Sequence, residues 1–351
     1  MTTSSQTFPH DLSSLTSLLL VAAMIKLATI IPSTAAAATN LCFPDNSTLI
    51  RSAIKDYKDQ HCSTCPDCAV GSTWGWPIGT WCTRLVTDMS FLFYDDNDND
   101  NDGYDNSEFN DDISGWDVSS VTNMYGMFFV ASKFNQDISG WNVSKVTTMR
   151  SMFNQASAFN HDISAWDVSS VTSMRYMFIQ AGFNQDISGW SVSKVTNMYG
   201  MFQNTGFNQD ISSWDVGSVT DMEMMFFNAN KFNQDVSRWN VSKVTTMRNM
   251  FNQAVAFNQS LCGWKNTMPF NNNIDMLYNT GCTYRTTPTI NGPFCAVASC
   301  SSDTTSKPTT KPTAKPTTKS TAKPTTKPTT KPTVKPTAKP TAKPTTKPNR
   351  A

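Results

Sequence analysis

The sequence predicts an α/β solenoid, a stack of about eight coils of 24 to 25 residues in which each coil runs strand, turn and short helix. The first observation is a tryptophan that recurs every 24 or 25 residues, at Trp116, Trp141, Trp166, Trp190, Trp214, Trp239 and Trp264. Internal repeats of this length are typical of solenoids. A divergent copy precedes them, because Trp81 stands five residues before Val86 as Trp116 stands five before Val121.

The second observation is a change of hydrophobic period within each copy. Asp137-Ile-Ser139 alternates polar and apolar residues, which predicts a very short strand with Ile138 facing inward. Apolar residues then recur at three- and four-residue steps, at Val146, Met149, Met152, Phe153 and Ala156. This spacing predicts a short helix with Ser144 as its N-cap. Since such a unit has one apolar edge, the copies are expected to stack.

The repeated motif also carries a resemblance. Trp116-Asp-Val-Ser-Ser-Val-Thr-Asn-Met-Tyr-Gly-Met-Phe128 is one copy of an aromatic residue followed by D-x-S-x-V-T-x-M-x-x-M-F. This motif resembles the BspA-like leucine-rich-repeat surface proteins, a group catalogued in mycoplasmas and many other microbes as a domain of unknown function. The resemblance implies a leucine-rich-repeat-like fold in a secreted or surface protein, used by some members in adhesion, with no catalytic residues to transfer. This chain has Phe and Trp where many members have Leu.

The chain divides into five predicted regions. An apolar run at 18–25 followed by small residues up to Ala38 predicts a signal peptide over 1–38. An uncleaved signal anchor is the alternative, although Lys26 interrupts the run. An N-terminal cap follows over 39–78, with a helix from Thr48 to about Asp59, and the repeats occupy 79–264. A cysteine-containing cap at 265–300 and a disordered tail at 301–351 complete the chain.

Nine cysteines lie in two groups at the ends of the repeats, at Cys42, Cys62, Cys65, Cys68 and Cys82 and at Cys262, Cys282, Cys295 and Cys300. In an exported chain, disulfides are a better interpretation than zinc ligands. Six intervening coils at roughly 4.8 Å each separate the groups by about 30 Å, which is beyond disulfide reach. We therefore expect pairing within each group, with one cysteine of the first group left over.

Three polar or aromatic positions repeat through the stack. The tryptophans are predicted to be interior. The asparagines Asn135, Asn160, Asn184, Asn208 and Asn233 suggest a ladder of buried amides that bond backbone groups at a turn. The aspartates Asp112, Asp137, Asp162, Asp186, Asp210 and Asp235 predict an acidic surface column. Their mutual repulsion requires either hydrogen bonds from neighbouring Ser or backbone N–H groups, or bound cations.

An acidic insert at 95–108 separates the first two copies. Asp98, Asp100, Asp102 and Gly103 match the beginning of a calcium loop, with Tyr104 and Glu108 as further candidate ligands. The match is incomplete, because Glu108 falls at loop position 11 where an EF-hand uses position 12. The alternative is a disordered acidic segment whose like charges keep it solvated.

Charge separates the body of the chain from its tail. Positions 1–300 hold 16 basic and 26 acidic residues, a net charge of about −10, whereas 307–347 carry 11 lysines, one every fourth residue, among Pro and Thr. Such a tail is expected to stay unpacked and to bind polyanionic wall material. Four sequons, at Asn46, Asn142, Asn240 and Asn258, predict a glycoprotein.

No catalytic constellation is recognisable, since the histidines are His10, His61 and His161 and none stands in a triad or metal motif. The predicted function is therefore non-enzymatic: a secreted, cell-wall or cell-surface repeat protein that mediates adhesion or binds an extracellular protein or polysaccharide through its repeats. The alternative is a structural wall or mineral-associated protein retained by its tail. Neither nucleic acid binding nor a membrane span in the mature chain is expected.

Overall fold

The computed structural model describes residues 41–45, 47–60, 62–63, 68–94 and 106–300. The chain divides at residue 301 into two units, and all of the described residues lie in the first. The predicted signal peptide, most of the acidic insert and the lysine-rich tail lie outside the described residues.

Two α-helices precede the repeats. Helix α1 spans Ser47–Asp59, close to the predicted bounds, and helix α2 spans Ala69–Trp74. Three short 3-10 helices occupy Ile78–Thr80, Asn106–Glu108 and Cys262–Trp264. Helix α1 buries Ile50, Ala53, Ile54 and Tyr57, so one apolar face of it covers the first repeat.

The predicted α/β solenoid, with its leucine-rich-repeat-like strands and helices, is wrong. In the described part of the repeats there is no α-helix, and strand pairing is limited to isolated bridges. The segment predicted to be helical holds two residues with positive φ four positions apart, as in Ser151 (52°) and Gln155 (62°). A left-handed residue in every turn cannot belong to an α-helix. The predicted strand is replaced by a turn in which Asp137 accepts the Ser139 N–H.

The repeats are instead successions of turns that hydrogen-bond to one another. Met149, Ser151 and Phe153 donate their backbone N–H groups to carbonyls of the following repeat, at 2.8 to 3.1 Å. The residues between them close turns within the same repeat, as Met152 does by donating to Met149. One parallel bridge marks each level, joining Asp88, Asn123, Thr148, Ser173, Asn197, Asp221 and Thr246 in order. The three- and four-residue spacing of buried residues therefore comes from successive turns.

Side chains reinforce the stacking of repeats. Each of the seven indoles from Trp116 to Trp264 donates to the backbone carbonyl of an apolar residue in the preceding repeat, as Trp166 donates to Ile138 at 3.1 Å. Phenylalanine rings stack face to face, with Phe128 and Phe153 at 5.5 Å between centroids and 8° between planes. Methionines, valines and isoleucines fill the remaining interior. The core is thus one continuous column along the stack.

Both ends of the column are covered. At the N-terminal end, Phe43 stacks on Trp74 at 4.1 Å and lies beside Trp81. At the C-terminal end, the inter-repeat bonding continues past Trp264, because Phe251 donates to the Met276 carbonyl at 3.0 Å. These covers keep the first and last aromatic rings of the column away from water.

Candidate ligand-binding flank

Four disulfides lie at the ends of the stack, and each joins two cysteines of the same terminal group. The bonds are Cys42–Cys82, Cys62–Cys68, Cys262–Cys300 and Cys282–Cys295. The predicted disulfide bonding within each group is therefore observed. Cys65, the ninth cysteine, lies outside the described residues.

The tryptophan column and the asparagine column differ in burial. Trp116, Trp141, Trp166, Trp190, Trp214 and Trp239 are each 3 or 4 % exposed. In the asparagine column, the Oδ1 of one Asn accepts the backbone N–H of the Asn in the next repeat, at 2.8 to 3.0 Å. Six such bonds join Asn110, Asn135, Asn160, Asn184, Asn208, Asn233 and Asn258 in order. These amides bond backbone groups as predicted, but their side chains are half-buried or exposed, which corrects the expectation that they are buried. Both columns hold the repeats in register.

The acidic column lies on the surface and is held by local hydrogen bonds. Asp112, Asp137, Asp162, Asp186, Asp210 and Asp235 are exposed, and each accepts the backbone N–H of the serine two residues later, at 2.9 to 3.0 Å. Bonds from the serine hydroxyl and N–H lower the pKa of Asp112, Asp137 and Asp162. Of the two interpretations of this column, these contacts support hydrogen bonding.

The predicted calcium loop has only its last residue in the described part of the chain. Asp98, Asp100, Asp102 and Tyr104 lie outside it, and Glu108 is exposed at the end of a 3-10 helix. The described residues contain no group of three His, Cys, Asp or Glu side chains placed to hold a metal ion. The calcium prediction therefore remains a prediction. Of the sequons, Asn142, Asn240 and Asn258 are exposed, and Asn46 lies outside the described residues.

One flank of the stack changes from repeat to repeat, while the interior columns do not. We define the variable flank by two positions. The first follows the first methionine of each Met-x-x-Met-Phe segment and is occupied by Tyr125, Arg150, Arg175, Tyr199, Glu223 and Arg248. The second follows the phenylalanine and is occupied by Phe129, Asn154, Ile179, Gln203, Phe227 and Asn252. Ten of these twelve side chains are half-buried, so large and chemically different groups line up at the surface.

Arginines and tyrosines of the variable flank pack on one another. The Arg150 guanidinium lies 4.9 Å from the centroid of the Tyr125 ring. The Arg175 guanidinium lies 4.4 Å from the ring of Tyr199 and 4.9 Å from that of Tyr176. These are cation–π distances, at which a guanidinium is attracted to the ring and restrained by it. Burial, followed by a hydrogen bond with Tyr176, raises the pKa of Tyr199 to about 12, so this phenol stays protonated at neutral pH.

The variable flank also holds unpaired polar atoms. In the described part of the chain, four buried side-chain nitrogen or oxygen atoms have no hydrogen-bond partner: Nε of Arg150, Nε of Arg175, Oδ1 of Asn154 and Oδ1 of Asn252. All four belong to the variable flank. Because an unpaired buried polar atom costs about 1 to 3 kcal/mol, its retention calls for an explanation. Each of the four atoms is closed to solvent, so pairing with water or a ligand requires the side chain to move.

A cleft of about 760 Å³ adjoins the N-terminal end of the variable flank. It lies between α1 and the first repeat, and its walls include Arg51, Lys55 and Lys58 on one side and Phe91 and Tyr94 on the other. Its aromatic wall is continuous with the flank, because the Phe91 ring lies 4.4 Å from Tyr125 and the Tyr94 ring 4.9 Å from Phe129. Arg51 and Lys55 are partly neutralised by Asp88 and Asp59, at 3.7 and 3.6 Å.

Sequence reasoning identified the repeating columns and overlooked the variable flank. The signal was present, since Tyr125, Arg150 and Arg175 stand at equivalent positions of three consecutive copies. A search for residues that are identical in every copy does not detect positions at which the residue differs between copies. The stacking of arginine on tyrosine became recognisable only from the contacts between neighbouring repeats.

Comparisons with known proteins place the chain in a family. Neither the curated proteins nor the solved structures give a match, so no relative supports the narrower resemblance to BspA-like leucine-rich-repeat proteins. No helix in the described residues is long and apolar enough to cross a membrane. One family matches residues 70–185 and 180–286. Because these regions cover more than half of the 351 residues, the chain belongs to the family described as mycoplasma protein of unknown function, DUF285.

Proposed function

We propose that this chain is a non-enzymatic secreted or cell-surface protein that binds an extracellular ligand through the variable flank of its repeats. The observation that carries the proposal is the contrast between interior columns that repeat and a half-exposed flank that does not. Stacking requires the same residue at each level only where a side chain contacts its own counterpart. Tyr, Arg and Phe, which the flank displays, are the residue types enriched at binding surfaces.

An extracellular location is consistent with the cysteines. Four disulfides are typical of proteins that fold in an oxidising compartment. The three exposed sequons suit a glycoprotein. Attachment to a cell wall or cell surface is part of the proposal, and the test below addresses it.

A second candidate function rests on the tail. Its 11 lysines, one every fourth residue over 307–347, are placed to make many weak contacts with a polyanionic wall or mineral surface. In that case the repeats are structural and retention depends on the tail alone.

Retention on extracellular material separates the two functions. Three proteins are compared: the full chain, a chain ending at Cys300, and residues 301–351 fused to a neutral reporter. We expect the chain ending at Cys300 to be retained on wall or matrix preparations at 0.15 M salt. Release of that chain, together with retention of the reporter fusion, would contradict binding by the flank and support the structural alternative.

A further inference from the structure

Within the described residues, Arg150 and Arg175 of the variable flank have no anionic partner. In the described residues, the ion pairs are Arg51–Asp88 and Lys55–Asp59, and neither includes Arg150 or Arg175. The body of the chain is acidic overall, so carboxylates are abundant elsewhere on its surface. The two guanidinium groups are instead held over tyrosine rings, with each Nε buried and unpaired. This arrangement keeps a charged, planar donor in a fixed position, which reduces the entropy lost when it binds an acceptor.

The two arginines lie one repeat apart. The bridge between Thr148 and Ser173 places their backbones in adjacent levels, about 4.8 Å from one another. Their guanidinium groups lean towards opposite neighbours, because Arg150 stacks on Tyr125 of the preceding repeat and Arg175 on Tyr199 of the following one. A ligand with negative charges spaced along an extended chain pairs with both planar donors.

The same flank presents an amide next to these donors. Asn154, four residues after Arg150, is half-buried, and its enclosed Oδ1 has no partner. A ligand that pairs with guanidinium groups and an adjacent amide must carry anionic acceptors and further polar groups. A polysaccharide with acidic groups offers both, because its sugar rings also carry hydroxyl groups.

An acidic peptide fits the flank less well. Peptides often bind by adding a strand to a backbone edge that has free carbonyl and N–H groups. Here the carbonyls of Arg150, Arg175 and Tyr199 already accept bonds from Gly126, Ser151 and Tyr176 of the preceding repeats. Recognition must therefore depend on side chains, which suits a ligand whose charges and hydroxyl groups repeat along an extended chain.

We propose that the variable flank binds an anionic polysaccharide, with Arg150 and Arg175 pairing with its acidic groups. The proposal rests on the proposed function, because it assigns a ligand class to the same surface. The cleft beside α1 continues the site, since the aromatic wall of Phe91 and Tyr94 leads into it past Arg51, whose charge Asp88 partly neutralises. Glu223 limits the site in the other direction, because its carboxylate repels an anionic chain.

Binding to defined polymers tests the proposal. The protein is the full chain with its 11 tail lysines and Arg350 replaced by glutamine, so that no tail side chain contributes a cation. The probes are polygalacturonate, dextran sulfate, neutral dextran and poly-glutamate. We expect binding to polygalacturonate or dextran sulfate that weakens in 1 M salt, where the screening length falls to about 3 Å. The double variant R150Q/R175Q should weaken it by about tenfold or more.

A matched control removes the same charge elsewhere. Lys145 and Lys194 are exposed at equivalent positions near Asp117 and Asp167 and do not belong to the variable flank. We expect the variant K145Q/K194Q to change affinity by less than about twofold. The single variant Arg175→Lys keeps the charge but loses the planar donor, so its affinity should fall between those of the parent protein and R150Q/R175Q. Thermal melting checks that each variant is folded.

Several outcomes overturn the proposal. Equal weakening in the two double variants would mean that binding follows net charge. If poly-glutamate binds as tightly as the acidic polysaccharides, the ligand class is an acidic peptide. If neutral dextran binds as tightly, the negative charge of the ligand does not contribute to binding. If wall material retains the chain ending at Cys300 while neither acidic polysaccharide binds, the proposed function survives and this inference fails.

Discussion

The interior columns and the variable flank use the same backbone in different ways. In the interior, each side chain contacts its own counterpart one repeat away, as Phe153 contacts Phe178 at 5.7 Å and Asn160 accepts from Asn184. A change at one level therefore disturbs two interfaces. On the flank, neighbours differ, as Arg150 follows Tyr125, and the contacts do not require identity. Residues are therefore repeated where contacts between counterparts stabilise the stack, and they vary where the stability of the stack depends little on the side chain.

Removal of an interior ring should have the largest effect. Trp166 is 3 % exposed and donates its indole N–H to Ile138. We expect Trp166→Ala to lower the free energy of unfolding by about 3 to 5 kcal/mol, because a large cavity opens between two repeats. Denaturant melts measure the effect, with Lys145→Ala as an exposed control that should cost less than about 0.5 kcal/mol. Similar values for the two variants would contradict the assignment of the interior.

A substitution where the backbones of neighbouring repeats lie close together should have the second-largest effect on stability. A Cβ atom on Gly182 would lie 2.2 Å from the Ser157 carbonyl oxygen, whereas one on Gly189 would meet no atom within 4 Å. We therefore expect Gly182→Ala to destabilise the protein by about 1 to 3 kcal/mol through forced separation of two repeats. Gly189→Ala should be neutral or slightly stabilising. Thermal melts of the pair measure the difference, and equal melting temperatures would refute the packing.

Much of this comparison was readable from the sequence, because the period of the tryptophans fixes which residues lie above one another. The helix α1 and the grouping of cysteines followed from similar spacing arguments. The local fold was not readable, since Met149, Met152 and Phe153 have the spacing of a helix although they lie on successive turns. Ser151 and Gln155 do not signal the left-handed conformation by themselves, because these residue types rarely adopt it. The equivalent positions of other repeats hold Gly126, Gly200 and Asn204, which adopt it readily, but this signal requires the copies to be compared. Hydrogen bonds between repeats impose this conformation.

Acid should weaken the surface turns by a smaller amount. Bonds from serine lower the pKa of Asp112 and Asp162 below the ordinary value of 3.8. A lowered folded-state pKa contributes stability that is complete above the ordinary value and is lost as the pH falls through the lowered one. We expect the denaturant concentration at the unfolding midpoint to decrease once the pH is lowered below about 4. Asp111 has the opposite effect on stability. Burial raises its pKa, so its ionisation destabilises the folded protein as the pH rises. Asp162→Asn keeps an acceptor oxygen without a titration, and an unchanged acid response in this variant would contradict the role of the turns.

Removal of a flank arginine should have the smallest effect on stability. Arg175 has a buried Nε without a partner, and the described residues pair no carboxylate with its charge. The variant Arg175→Gln loses the cation–π contact with Tyr199, worth about 0.5 to 1 kcal/mol, but it also removes the unpaired donor, and these two changes oppose each other. We therefore expect a net change in the free energy of unfolding of less than about 0.5 kcal/mol. Denaturant melts beside Trp166→Ala measure it in the same protein. A loss above about 2 kcal/mol would place Arg175 among the residues that hold the stack together, and the flank would then be part of the scaffold.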